Sequence, residues 1–356
     1  MSRPPKTTVI FSNVPSDWIV GIDLQFFNSN AVLRGIKLIP DGIHVVHWAP
    51  DSSSVRSGFY FEAKEASVNV IYWDSANEKM LINEEIGEIN VVKEIDGLSQ
   101  SYPFMIAYPE DDTWSSLTRF IEFRQVNYML PGTSNVMDSV LTSTDENNIL
   151  LDAIKRGAEQ RGTGNLANDP IVNSIIDQTE EEIKYTPIDL SKTVRPNSTP
   201  EEKTHDGIDK SWYLNNLITV AYNGKESLLL GEFQLAYINT IIFANYSSAM
   251  HWLKFLRVLF YCQDATKQKV AFFEKLLTTL CVMLEKFPEE YADEFVDHDF
   301  FEVSLAEFEF TVKDLNLHKL VKKVIDIKNV LLARFSINVQ GIVEDEEEDG
   351  PVIVEL

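Results

Sequence analysis

LLLGEFQLAYINTIIFANYSSAMHWLKFLRVLF, residues Leu228 to Phe260, is apolar on too many faces to expose any of them fully to water. Phe233, Tyr237 and Ile241 recur four apart, while Leu235, Ile238 and Ile242 cover another side, so the first half predicts a helix buried all round. The pattern breaks at Asn245 and Tyr246. Ser247 or Ser248 is placed to cap a second helix, whose Trp252, Phe255, Leu256 and Leu259 form a stripe at helical spacing. The expectation is a helical hairpin surrounded by other helices, at the centre of the C-terminal half.

A chain of 356 residues that is 44% hydrophobic is long enough for two cores. It carries 31 Lys and Arg against 55 Asp and Glu, a formal net charge of −24, which repels a phosphate backbone and suits a basic protein partner. No direct nucleic-acid partner is expected. The two cysteines, Cys262 and Cys281, lie in apolar helical context and imply small core residues in a reducing compartment, without a disulfide framework. The N-terminal MSRPPKTTVIF lacks the apolar stretch of a signal peptide, and no apolar run approaches a membrane span. These features predict a soluble intracellular protein with no membrane partner.

From Thr7 to about Tyr102, short runs rich in β-branched and aromatic residues alternate with turn residues: Thr8–Phe11, His44–Trp48, Gly58–Phe61 and Val68–Trp73, with Pro40-Asp41-Gly42 as punctuation. Both faces of Val68–Trp73 carry bulk, which predicts a strand between two layers. Asp111, Asp112 and Thr113 precede an apolar stripe at Trp114, Leu117, Phe120 and Ile121, the mark of a capped short helix on the side of a sheet. Between about Glu159 and Lys210 periodicity fades, and Arg195-Pro196-Asn197-Ser198-Thr199-Pro200 is the clearest breaker cluster, so a partly ordered linker is expected. Helices follow around Val270–Lys286, Glu289–Phe310 and Leu317–Phe335, with Pro288 as a stop. The predicted class is α+β: a β-sandwich-like domain at 1–158, a linker at 159–210, an all-helical domain at 211–340 and an acidic tail with a strand-forming end at 341–356.

Little in the sequence asks for catalysis. His44 and His47 are a close histidine pair, but a spacing of three sends them to opposite faces of a strand, so they cannot share a metal. His251, His298 and His318 each stand alone on helical segments, without a Cys partner or an H-E-x-x-H spacing. Gly162-Thr163-Gly164 lacks the Lys and the helix of a phosphate loop, and no G-x-S-x-G elbow occurs. The acidic pairs Asp111/Asp112 and Glu289/Glu290 have a simple explanation at helix starts. No catalytic, cofactor or metal residues are expected. The alternative is a small-molecule-binding or enzymatic β domain that uses Asp23, His44 and His47, which requires their side chains to converge on one concavity.

The chain ends in Glu344-Asp345-Glu346-Glu347-Glu348-Asp349-Gly350 and then Pro351-Val352-Ile353-Val354-Glu355-Leu356. A like-charge block cannot collapse, and a β-branched run beyond it suits an unpaired sheet edge, either of this chain's own N-terminal sheet or of another protein. In strand form Val352, Val354 and Leu356 share one face. Burying three aliphatic side chains gains ~1.5 to 3 kcal/mol each, whereas ordering six residues costs ~1 to 2 kcal/mol each, so the tail needs help from the body of the protein to bind.

Three sets of motifs carry a family resemblance. Gly231-Glu232-Phe233-Gln234-Leu235-Ala236-Tyr237, followed by Asn245 and Trp252, is similar to the hairpin of the AAR-two splicing factors, also called A-one cistron-splicing factors. Gly21-Ile22-Asp23, Gly35-Ile36-Lys37-Leu38-Ile39-Pro40, Gly42-Ile43-His44 and His47 resemble that family's G-I-D … G-[IV]-K-x-I-P-x-G-I-H-x-x-H signature, and Tyr102-Pro103 with Trp114–Ile121 resembles its Y-P … W-x-x-L-T-x-F-I element. The third match is the tail, P-V-[VI]-V-E-L after an acidic stretch. The resemblance implies a VHS-like helical domain and a non-enzymatic chaperone of U5 small nuclear ribonucleoprotein assembly. Such factors bind the large scaffold, pre-mRNA-processing factor eight, in the cytoplasm before nuclear import. They bridge its RNase-H-like and Jab/MPN-like domains, partly through the tail as an added strand, and exclude the U5 helicase until release. Pro351, Val352, Ile353, Val354, Glu355 and Leu356 are then the partner-binding residues. Ser247 and Ser248 are candidates for a releasing phosphorylation, because a phosphate in a tight corner of an acidic protein disturbs packing.

Overall fold

The structure is a computed structural model that describes residues 6–64, 67–109, 111–132, 134–160, 172 and 181–341. The expected tail residues Pro351 to Leu356 and the acidic block before them lie outside the described residues. The fold is α+β, with two five-stranded sheets followed by helices. Two compact units divide the chain, the first made of residues 1–188 and 221–253, the second of 189–220 and 254–356.

In the first unit, one sheet has the order β8-β7-β1-β4-β9 and the other β10-β6-β5-β2-β3. The first contains β1 (Thr7–Ser12), β4 (Gly35–Ile39), β7 (Val68–Asp74), β8 (Lys79–Ile82) and β9 (Ile106–Ala107). The second contains β2 (Ile19–Ile22), β3 (Gln25–Asn28), β5 (Gly42–Ala49), β6 (Ser57–Ala63) and β10 (Val136–Asp138). Val9, Phe11, Ile36 and Ile71 from the first sheet share a core with Val20, Val46, Phe59 and Phe61 from the second, as the period-two pattern requires of a sandwich. On the far side of the first sheet Ile10 and Val70 pack with Ile86, Val91 and Leu98. Val91 and Leu98 belong to α1 (Glu88–Asp96) and α2 (Leu98–Ser101). Strand β7 is therefore covered on both faces, which accounts for its continuous bulk.

Short helices α3 (Thr113–Leu117) and α4 (Phe123–Met129) and the longer α5 (Thr144–Gln160) complete the N-terminal part. Trp114 and Leu117 are buried as the stripe predicts; Asp112 stands at the N-cap, and Asp111 before it accepts the Thr113 N–H through Oδ1 at 2.8 Å. Phe120 and Ile121 fall in the turn after α3, and a reciprocal capping box between Glu122 and Gln125 starts α4 anew.

The second unit contains α6 (Pro200–Ile208), most of α7 (Ser211–Ala221), the end of α9 (Tyr246–Leu259), and α10 (Gln263–Gln268), α11 (Val270–Lys286), α12 (Ala292–Phe295), α13 (His298–Asp314) and α14 (His318–Phe335). Phe273 and Phe308 stack at 5.9 Å in its core, and Leu276, Leu305, Val324 and Leu331 are fully buried. The breaker cluster before α6 is ordered. Arg195 donates to Asp206 through Nε at 2.8 Å and a terminal nitrogen at 2.7 Å, and Thr199 and Glu202 form a capping box. Helix α11 has the predicted bounds, whereas the expected helix from Glu289 to Phe310 is interrupted. Asp297 accepts the Phe300 N–H and starts α13 afresh at His298.

Helix α8 (Glu226–Phe243) is buried on every side from Leu229 to Phe243, as its sequence predicts. The units differ from the domain boundaries expected at 159–210 and 211–340, since residues 221–253 group with the two-sheet part and not with the C-terminal helices alone. The reason lies in its polar residues. The Gln234 side chain accepts the Phe120 N–H at 2.8 Å and donates to the Ser116 carbonyl at 2.9 Å, while Gln125 donates to the Leu228 carbonyl at 2.7 Å. Arg56 donates to the Ile242 carbonyl at 2.9 Å, and the Tyr60 hydroxyl donates to Asn239 at 2.7 Å. Gly231 permits this approach: a Cβ there would lie 2.5 Å from both the Phe120 carbonyl oxygen and Gln125 Oε1. At an exposed helix position Gly→Ala gains about 1 kcal/mol. Gly231→Ala should instead cost about 1 to 3 kcal/mol, because backbone must shift to admit the methyl, and urea unfolding of the two proteins measures the sign directly.

Candidate functional site

The corner between α8 and α9 is built by Ala244 and Asn245. Ala244 adopts the left-handed conformation at φ 50° and ends α8. The Asn245 amide donates to the Leu141 carbonyl at 2.7 Å, and its Oδ1 accepts the Ser248 N–H at 2.9 Å and hydroxyl at 2.7 Å. Asn245 thus caps α9, in place of the expected Ser247 or Ser248. An N-cap carbonyl three residues before the bonded N–H satisfies an orphan donor, and asparagine does this while reaching back to the preceding loop.

Both serines are buried, Ser247 at 5% exposure and Ser248 at 0%. Ser247 Oγ accepts the Ser143 N–H at 3.0 Å and donates to the Glu146 carboxylate. Ser248 Oγ is 2.8 Å from the Tyr185 hydroxyl. From Tyr185 the polar network continues through Asn239 to Tyr60. The Tyr185 ring stacks on His251 at 4.3 Å, and His251 Nε2 lies 2.8 Å from Glu232 Oε1. The fully buried Glu232 also accepts the Thr186 N–H, the Thr186 hydroxyl and the Tyr222 hydroxyl at 2.6, 2.8 and 2.9 Å. A buried carboxylate costs several kcal/mol unless its lone pairs are filled, and here four donors fill them. Burial pushes the Tyr185 phenol above its ordinary range, so it stays a donor.

Asp23, His44 and His47 come together without sharing a concavity. His44 Nδ1 is 2.6 Å from Asp23 Oδ2, which also accepts the Tyr108 hydroxyl at 2.7 Å, and Asp23 Oδ1 accepts the Val45 N–H at 2.9 Å. His44 Nε2 faces the Pro40 carbonyl at 3.0 Å, leaving neither ring nitrogen open for proton transfer to a ligand. His47 Nε2 faces the Asp23 backbone carbonyl at 3.1 Å, and its ring lies against Phe26. The odd spacing does send the two rings to opposite faces of β5. Gly21 makes room for the second, since a Cβ on it would stand 2.1 Å from the His47 ring. Only His44 lines the cavity of about 730 Å³ found beside the Pro40–Ile43 turn. Lys37 joins the same framework, donating to the Tyr102 carbonyl at 2.8 Å with its ammonium 4.6 Å from that ring.

One group of ligand-type side chains among the described residues comes close enough to face a single ion: His205, Asp209 and Asp264, with atoms within 4.8 Å of one another. Both Asp209 oxygens already accept N–H groups, from Ser211 at 2.8 Å and Asp264 at 2.9 Å, which makes it a cap joining α7 and α10. Cys262 is buried and burial raises its thiol, so it stays protonated. No described helix is long and apolar enough to cross a membrane.

The signature motifs, far apart in sequence, are the partners in this framework: Asp23 with His44, Lys37 with Tyr102, Trp114 donating to the Ile43 carbonyl at 2.7 Å, and Gln234 with Ser116 and Phe120. Residues 5–131 match the family model of the AAR2 N-terminal domain, and residues 185–340 match that of the AAR2 C-terminal repeat region. The chain belongs to the AAR2 family. It is 28% identical to the A1 cistron-splicing factor AAR2 of Saccharomyces cerevisiae over 298 residues, 80% of this chain and 79% of the relative. It is 24% identical to the Protein AAR2 homolog of Mus musculus over 373 aligned positions, covering 98% of this chain and 93% of the relative, and 23% identical to that of Homo sapiens with the same coverage. For this AAR2 family member, the N-terminal match includes every residue of the Asp23, His44 and Tyr108 cluster. The C-terminal match includes the whole α8–α9 corner.

His47 gives the fold a pH dependence. Burial, with Arg56 adding repulsion, holds it down to about 3 from an ordinary 6.5. Between those values the unfolded chain binds a proton that the folded chain does not, so stability falls as pH drops from 6.5 toward 3. From pH 7 to pH 5 this group should remove about 2 kcal/mol. Urea unfolding at both pH values should show His47→Gln losing that much less than the parent protein.

Proposed function

We propose that this chain is a pre-mRNA splicing factor that acts by binding protein and not by catalysis, as a chaperone of U5 small nuclear ribonucleoprotein assembly. The match to the yeast A1 cistron-splicing factor over 80% of the chain carries this reading. The net charge of −24 supports it, since it favours a basic protein partner over nucleic acid. So does the saturated Asp23–His44 pair, which offers no reactive nitrogen. The partner is the large U5 scaffold, pre-mRNA-processing factor eight, gripped through its RNase-H-like and Jab/MPN-like domains by the body of the protein together with Pro351–Leu356 as an added strand. While bound, the chain excludes the U5 helicase. Binding takes place in the cytoplasm, and release follows in the nucleus.

Phosphorylation at Ser247 or Ser248 is the proposed release signal. A phosphate on Ser247 would face the Glu146 carboxylate, and one on Ser248 would displace the hydrogen bonds of Asn245 and Tyr185. Either charge opens the corner.

Pull-down of the two scaffold domains by the full chain and by a chain lacking residues 342–356 tests the grip. The truncated chain should bind about tenfold or more weakly, the loss expected when one of two linked contacts is removed. Equal capture by both chains would refute the strand. Ser248→Glu and Ser247→Glu should each weaken capture, and full affinity in both would remove the release signal.

A further inference from the structure

The cavity beside His44 has no part in that scheme. Its volume is about 730 Å³, within the range of small-ligand sites. Trp114, Ile43 and Ile121 are buried along its wall, and Tyr108 stands edge-on to the His44 ring at 5.4 Å. Its charged lining is one-sided: Asp41, Glu62, Asp111, Asp112 and Glu122 against Lys64 and Arg124. Lys64 pairs with Glu62 at 2.6 Å and Arg124 with Glu122 at 2.5 Å, which leaves the other lining carboxylates in excess. The exposed carboxylates of Asp41 and Asp112 have no hydrogen-bond or ion-pair partner among the described residues.

We infer that this cavity receives an arginine side chain of a partner protein. An aliphatic stem suits the Trp114 and Ile121 wall, and a cationic head suits the carboxylates at the mouth. The two unpaired carboxylates, Asp41 and Asp112, come from separate segments, the β4–β5 turn and the turn into α3. A guanidinium presents five donors in a planar fork and can meet several acceptors at once, whereas an ammonium presents three around a point. The site is independent of the tail and of the identity of the scaffold, so its failure would leave the splicing assignment standing.

The full chain labelled with isotopic tryptophan supplies the test, because the Trp114 indole N–H is fixed on the Ile43 carbonyl at the cavity wall. Loss of one signal in Trp114→Phe assigns it. A capped Gly-Arg-Gly peptide should shift that signal saturably, and a capped Gly-Glu-Gly peptide should not. In the Asp41→Asn, Asp112→Asn double variant the midpoint should rise roughly fivefold, two exposed charge contacts being lost. Both positions are exposed, and an unchanged thermal midpoint confirms that the variant is folded. An unmoved Trp114 signal, an equal response to the glutamate peptide, or an unchanged midpoint in the double variant would overturn the site. Tighter binding of a capped Gly-Lys-Gly peptide or of spermidine would overturn the assignment to arginine.

Discussion

A helix with no face to water cannot carry polar side chains unless its neighbours satisfy them, and α8 carries Glu232, Gln234, Asn239 and Thr240, all fully buried. Three of them dictate what surrounds them, while the Thr240 hydroxyl is answered within the helix by the Ala236 carbonyl at 2.9 Å. Glu232 requires Thr186, Tyr222 and His251, Gln234 requires the backbone around Phe120, and Asn239 requires Tyr60 and Tyr185. Truncating one partner of such a group leaves a buried charge or dipole exposed to nothing, at a cost of about 3 to 5 kcal/mol for an ion pair. That penalty disfavours any packing that leaves one of these groups unanswered.

The residues that mark the family are the ones this constraint uses. Gly231 admits the backbone near Phe120, Gln234 locks onto it, and Trp114 anchors the preceding helix to the Ile43 carbonyl. In the sandwich, Gly21 leaves space for the His47 ring, and Asp23 gathers His44, Tyr108 and the Val45 N–H. Histidines and carboxylates set this way are consumed by the fold. Their proximity resembles an acid–base pair, yet a ring whose two nitrogens both face protein acceptors has no site for a substrate proton.

Much of the architecture was legible in the chain itself. Four strands followed from β-branched and aromatic runs between turn residues, and the double-sided bulk of Val68–Trp73 correctly foretold layers on both faces of β7. Short or weakly patterned strands such as Ile106–Ala107 and Gln25–Asn28 were not legible, because two to four residues carry too little periodicity and are held by their sheet neighbours. One cap was misplaced. Ser247 and Ser248 stand at plausible positions, but Asn245 takes the role because its side chain also reaches the Leu141 carbonyl of the preceding loop. The break at Asp297 was hidden for the same reason, since apolar spacing continues across a cap.

The sequence by itself determined that α8 is buried on all sides, that the chain is strongly acidic, that His44 and His47 point apart, and which family it joins. The first three follow from composition and from the fixed angles of helix and strand, which need no partner to be named, and the family follows from the likeness of its motifs. Tertiary structure alone decided that residues 221–253 belong with the two sheets and that Asp23, 21 residues away, is the partner of His44. Hydrophobic periodicity states how much of a helix must be covered, but it is indifferent to what covers it. That choice belongs to directional hydrogen bonds between groups distant in the chain, which take shape only when the elements meet.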